Sequence, residues 1–107
     1  MEGLAADGTL TNPDYAVEGG VREGRDAVRA ALQALQDGFD YTAVTVEELI
    51  EGPDGLLVVV YMEASGRESG APLQGRFFHV FRFRGDEVVD FAWFVAREEG
   101  LRAVGLD

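Results

Sequence analysis

Apolar and polar positions change period partway along this chain. Val28, Ala31, Leu32 and Leu35 recur at helical spacing, with Ala27 and Ala34 beside the stripe, and predict a helix over 25–37. Asp26 in the first turn suits the positive end of the helix dipole, and Gly38 fits the position just past the last turn. Beyond Phe39 the period becomes two. Strands are predicted over about 42–51, 56–64, 74–84 and 87–95. Gly52-Pro53-Asp54-Gly55, the polar loop 65–73 and the two-residue turn Gly85-Asp86 join them, glycine standing first in the last turn as a type II′ hairpin prefers. A short helix over 97–103 ends before Gly105. Residues 1–23 are rich in Gly, Asp, Asn and Pro and read as irregular. Asn12-Pro13-Asp14 and Gly19-Gly20 are turns there, and Leu4, Tyr15 and Val17 are the expected anchors.

The order α-β-β-β-β-α with short connections predicts an α+β fold: a curved, antiparallel four-stranded sheet packed on one main helix. The length of 107 residues suits a single domain, 1–107.

The Gly85-Asp86 turn sets a register for the last hairpin. Arg84 should oppose Glu87, Phe83 Val88, Phe81 Asp90, His79 Ala92, and Phe77 Phe94. One face then carries Phe77, His79, Phe81, Phe83, Val88, Asp90, Ala92 and Phe94, and is the expected pocket face. The other carries Val89, Phe91 and Trp93. One helix covers one face only, so a second chain is expected on Val89, Phe91 and Trp93, giving a homodimer; loops and the terminal helix are the alternative cover. A one-residue bulge would exchange the two face lists beyond it.

Composition narrows the function. Acidic residues number 20 and basic residues 9, all of them Arg, for a formal charge of −11. That field repels phosphate backbones and anionic lipid, so neither nucleic acid nor a membrane is an expected partner. With no cysteine there is no disulfide, thiol nucleophile or cysteine-ligated metal, and one histidine argues against a transition-metal site. No metal or other cofactor is expected. The first residues show no basic region followed by an apolar run, so no signal peptide is expected, and a cytoplasmic location is the default.

Several motifs bear on identity. Glu23-Gly24-Arg25-Asp26-Ala27-Val28 resembles the helix start of SnoaL-like proteins. Ser65-Gly66-Arg67 followed by Ser69-Gly70 resembles their loop, and His79-Val80-Phe81-Arg82-Phe83-Arg84 before a tight turn resembles their central strand. Arg97-Glu98-Glu99-Gly100-Leu101 through Val104-Gly105-Leu106 resembles their closing helix. The resemblance spans Asn12 to Leu106 and implies the cone-shaped nuclear transport factor 2-like fold of the cystatin-like kind, around a mostly apolar pocket. It does not choose among cyclases, isomerases, dehydratases, hydrolases and plain binding modules. Family members usually open with a long helix and a second short one; here Met1 stands almost directly before the Asn12-Pro13-Asp14 turn, so a pocket without that lid is expected. The family's Asp-Gly turn is Gly85-Asp86 here, Ala96 replaces an acidic residue before the closing helix, and Gly100 replaces an Ala.

His79 is the candidate acid or base, because its ordinary pKa lies near neutrality. A buried imidazole satisfied by structure is the alternative. Asp90, diagonal to His79 about 7–8 Å away in the expected register, is its partner or the base itself. Alternatively a bulge turns Asp90 away. Tyr15 and Tyr61, with Phe77, Phe81, Phe83 and Phe94, are the expected ligand pocket, the two phenols donating to a ligand carbonyl. The expected function is binding of a hydrophobic, carbonyl-containing small molecule, with acid–base catalysis of isomerase, cyclase or hydrolase type as its chemistry. A non-catalytic dimerising or partner-binding module is the alternative.

Overall fold

A computed structural model describes residues 3–12 and 20–106. Tyr15 and Val17 lie outside them. In chain order the elements are β1 (Leu4–Asn12), β2 (Gly20–Glu23), α1 (Arg25–Gly38), β3 (Phe39–Gly52), β4 (Gly55–Gly66), β5 (Pro72–Arg84), β6 (Glu87–Phe94) and α2 (Arg97–Ala103). The helix and strand periods in the sequence therefore locate six of these elements, several of the strands running longer than expected.

The four-stranded antiparallel expectation needs correction. The described strands form one six-stranded mixed sheet in the order β2-β1-β6-β5-β4-β3. β1 lies parallel to β6, and β2 turns back antiparallel on β1. The described part of the segment read as irregular is thus largely strand. β1 reads Leu-Ala-Ala-Asp-Gly-Thr-Leu-Thr-Asn, a run poor in β-formers. Its pairing with a strand some 80 residues away, not its local propensity, makes it a strand.

The decisive local feature is a bulge in β6. Arg84 faces Glu87 and Phe83 faces Val88, as the turn requires, and Gly85 takes a φ of +64° there. The next pair is Arg82 with Asp90, so Val89 is an extra residue without a partner on β5. Beyond it Phe81 faces Phe91, Val80 faces Ala92, His79 faces Trp93 and Phe78 faces Phe94. Every β6 side chain after Val89 stands on the face opposite to the one an unbroken register assigns.

Each face has its own helix. α1 packs over β1 and β6: Val28, the buried residue of the helix, joins Leu4 and Leu10, with Ala31, Leu32, Val88, Phe91 and Trp93 around them. Gly24 leads into this helix with a φ of +89°, donating from its N–H to the carbonyl of Gly8 on β1 at 2.8 Å. α2 packs on the other face, where Leu57, Val59, Phe78, Val80, Ala92 and Val104 form the second cluster with Ile50, Phe94 and Leu101. The helix sits close to the sheet because Gly100 has no side chain. A Cβ there would stand 2.9 Å from Leu57 Cδ1 and 3.1 Å from Phe78 Cβ. The terminal helix α2 thus covers β4–β6 on one face, while Phe91 and Trp93, expected under a second chain, lie on the face of α1.

β3, an outer strand, carries two bulges of its own, at Thr42 and Glu47. Val46 and Leu49 are three residues apart and would point to opposite faces of a regular strand. The extra Glu47 returns both to the α1 face, Val46 opposite Val60 and Leu49 opposite Val58.

Candidate functional site

Helix α1 covers the β1–β6 side of its face and leaves the β3–β5 side open. Between them stands a wall of rings. Phe77, His79 and Phe81 project from alternate positions of β5, with Phe91 and Trp93 beside them on β6. Phe81 stacks on Phe91 with centroids 5.0 Å apart, His79 meets the same Phe91 edge-on at 5.2 Å, and Phe77 meets Trp93 edge-on at 6.4 Å. All five are half-buried. Val58 and Val60 continue the wall on β4, opposite His79 and Phe77. The Trp93 indole N–H donates to Asn12 Oδ1 at 2.7 Å, fixing the ring against β1. Tyr41, at the start of β3, donates its hydroxyl to the Leu35 carbonyl at 3.3 Å and ties the end of α1 to that strand.

His79 stands in the middle of this wall. Its surroundings are hydrocarbon and rings, so burial lowers its pKa below the ordinary imidazole value and the ring is neutral at pH 7. Among the described residues neither ring nitrogen has a hydrogen-bond partner, and neither is a fully buried unsatisfied atom. A neutral imidazole in that state has one donor and one acceptor to offer a ligand.

Asp90 is on the other face. Its carboxylate accepts hydrogen bonds from Thr9 Oγ1 at 2.5 Å and Thr11 Oγ1 at 3.0 Å and is ion-paired with Arg82 Nη1 at 2.7 Å. Arg82 Nη2 continues to the Ala103 carbonyl at the end of α2, 3.0 Å away. The expected His79–Asp90 pair is thus corrected: the Val89 bulge sets the two groups on opposite sides of the sheet. Asp90 instead joins β1, β5, β6 and α2.

The bulge and the strand pairing move other residues too. Phe77, Phe81 and Phe83 keep the face expected of them, Phe83 half exposed at its rim. Phe94 packs in the α2 cluster, so it is no part of the ring wall. Tyr61 opposes Arg76 on the α2 face and donates its hydroxyl to Glu63 Oε1 at 3.0 Å, so its phenol is turned from the wall. Phe91 and Trp93, expected at a dimer interface, are wall residues packed toward α1, and Val89 occupies the bulge. Tyr15 lies outside the described residues. One signal in the sequence pointed to this arrangement: pairing the opposite charges of Arg82 and Asp90 across the hairpin forces the extra residue.

A separate open recess of about 500 Å³ lies along α1, lined by Arg22, Ala27, Ala30, Ala31, Ala34 and Leu35. It contains none of the rings and no acid–base group, so the candidate site remains the wall. Among the described residues no three or more His, Cys, Asp or Glu side chains stand close enough to hold a metal ion. No helix among them is long and apolar enough to cross a membrane.

The architecture has relatives. A protein with a ketosteroid isomerase-like fold from Catenulispora acidiphila, solved in complex with trimethylamine, superposes with a TM-score of 0.72 at 19% identity, over 98% of this chain and 78% of its own. A nuclear transport factor 2-like protein of unknown function from Burkholderia pseudomallei gives 0.69 at 24% identity, over 96% and 80%. TerC, co-crystallised with polyporic acid, gives 0.68 at 17% identity, over 95% and 80%. These likenesses establish the nuclear transport factor 2-like fold. No protein of curated function matches the chain. The sequence model of the SnoaL-like domain matches residues 1–91. On that match the chain belongs to the SnoaL-like domain family.

Proposed function

We propose that this protein binds a hydrophobic, carbonyl-bearing small molecule against the ring wall, and that His79 serves as its acid–base group. The observation that carries this reading is the unpartnered, neutral imidazole at the centre of an otherwise apolar wall. The bare ring nitrogen takes up a proton from a carbon beside the ligand carbonyl, leaving an enolate, and the imidazolium so formed returns the proton to the ligand. The ligands that name two relatives, trimethylamine and polyporic acid, support a small-molecule role for the fold. Asp90 has no part in the reading, being committed to Arg82, Thr9 and Thr11.

The test is an NMR pH titration of the single histidine ring, alone and with acetophenone. The reading expects a ring that titrates below the ordinary value and whose signals move with ketone. A ring that holds one protonation state throughout and ignores ketone makes His79 a core residue and removes the catalytic reading.

A second reading rests on β3. Val44, Val46 and Leu49 are 59%, 57% and 67% exposed on the open side of the same face. A second copy of the chain covering that strip makes the protein a homodimerising module. Light scattering on wild type and Leu49→Asp separates the two: a monomer in both cases ends the dimer reading.

A further inference from the structure

Glu51 is the one carboxylate on the ring-wall face of β3 to β6. The pairing across the sheet places it in a single row with Leu56, Phe81 and Phe91, continuing to Leu10 and Arg22. Glu51 is exposed at the open end of that row, beyond Leu56, and no ion pair or hydrogen bond engages it among the described residues. Two strand spacings, about 10 Å, separate its backbone from that of Phe81. Arg22, at the other end, lines the recess along α1 with Ala27 and Ala31, away from the open side. Other arginines are held by carboxylates elsewhere: Arg67 by Asp40, Arg76 by Glu47, Arg84 by Asp7 and Arg97 by Glu48.

The local and global electrostatics agree in sign. The chain carries −11 formal charges. Aromatic rings carry a negative quadrupole on their faces, which attracts cations and repels anions. An unpaired carboxylate ends the row on the accessible side. A ligand carboxylate or phosphate resting in this row between Glu51 and Phe91 would meet no cation among its residues.

We infer that the ligand of the ring wall is an organic cation: an apolar body lying on Phe81 and Phe91, with an ammonium group reaching toward Glu51. This rests on the reading of the wall as a small-molecule surface and specifies its substrate class. The span suits an amine about two or three bonds from an aromatic or alicyclic body. A carbonyl elsewhere on that body remains within the reach of His79, which is two residues along β5 from Phe81 on the same face.

The test uses three probes with one body and three heads: 2-phenylethylammonium, 2-phenylethanol and phenylacetate. Trp93 is the only tryptophan, so its fluorescence reports wall occupancy directly. Excitation at its red edge avoids the probes' own absorption. At low salt the ammonium should bind about fivefold more tightly than the alcohol, and the carboxylate most weakly. Glu51→Gln, an exposed change that leaves the fold intact, should remove most of that advantage while leaving 2-phenylethanol unaffected. Added salt should weaken the ammonium alone. Equal affinities for the three heads, or tighter binding of phenylacetate, overturn the inference and leave the wall as a neutral-ligand site. An ammonium preference that survives in Glu51→Gln overturns the role of that residue. Silence of Trp93 and of the His79 ring toward every probe overturns both the inference and the small-molecule reading beneath it.

Discussion

His79 and Asp90 are on opposite faces of one sheet, the imidazole among rings and the carboxylate between two threonines and an arginine. The two groups do not share a site. Asp90→Asn should therefore leave the pKa of the His79 ring within about 0.3 units of wild type, since one full unit would demand 1.36 kcal/mol of differential interaction. The histidine signals in an NMR titration of the two proteins check this. A shift of a unit would show that the faces communicate.

Asp90 should matter to stability instead. Asp90→Ala removes the ion pair to Arg82 and the hydrogen bonds of two threonine hydroxyls, and a cost of about 2 kcal/mol is expected. Urea unfolding should show a lower midpoint with the slope unchanged. Thr9→Val, which removes one of the donors, should cost less.

The lowered pKa of His79 has a sign in stability. The unfolded chain binds a proton on this ring near pH 6.5, and the folded chain resists it because the wall would bury the charge. The contribution is complete above that value and is lost as the pH falls below it toward the folded pKa. Wild type should weaken relative to His79→Phe between about pH 7 and pH 5, and the difference should be constant above pH 7. Thermal unfolding across that range measures it. A flat difference would mean the ring charges freely when folded.

Helix α2 stands close on the sheet. Gly100→Ala gains about 1 kcal/mol of helix propensity but forces a methyl against Leu57 and Phe78. Overpacking of that kind costs about 1–3 kcal/mol. A lower melting temperature is expected for Gly100→Ala. A rise would show that the helix can lift away without loss.

Trp93 and Leu49 should respond in contrary ways to a charge. Trp93→Glu removes a ring packed toward Leu10 and Val28 together with its bond to Asn12, and about 3 kcal/mol or more is expected to go with it. Leu49→Asp, at a side chain 67% exposed, should stay within about 0.5 kcal/mol of wild type as a monomer. Circular dichroism melts of the pair distinguish wall from surface.

The parts of this molecule legible in the sequence are those whose determinants lie close together along the chain. The stripe Val28, Ala31, Leu32 and Leu35 announces α1, and Gly85-Asp86 announces the last hairpin. The partners of His79 on its own strand follow from alternation alone, so Phe77, Phe81 and Phe83 stand where the pattern puts them. What failed depended on a count across strands. The bulge at Val89 leaves little mark on a run that is apolar at Val88, Val89 and Phe91, and it carried Asp90, Phe94, Phe91 and Trp93 to the wrong faces. β1 was missed because Thr9 and Leu10 gain their strand geometry from Asp90 and Phe91, far away in the chain. Tyr61 was misassigned for want of a register between β4 and β5, where Arg76 is its neighbour.

The Val89 bulge makes the lining of this wall a matter of parity. Pairing Val89 with Arg82 instead of bulging it out would exchange indole and phenyl for carboxylate and methyl beside His79, with no letter of the sequence altered. Relatives with β6 strands of equal length can therefore present different chemistry from nearly identical sequences, according to whether a residue bulges out. Within such a family, the place of a bulge in this short stretch is as informative about the ligand as the residues themselves.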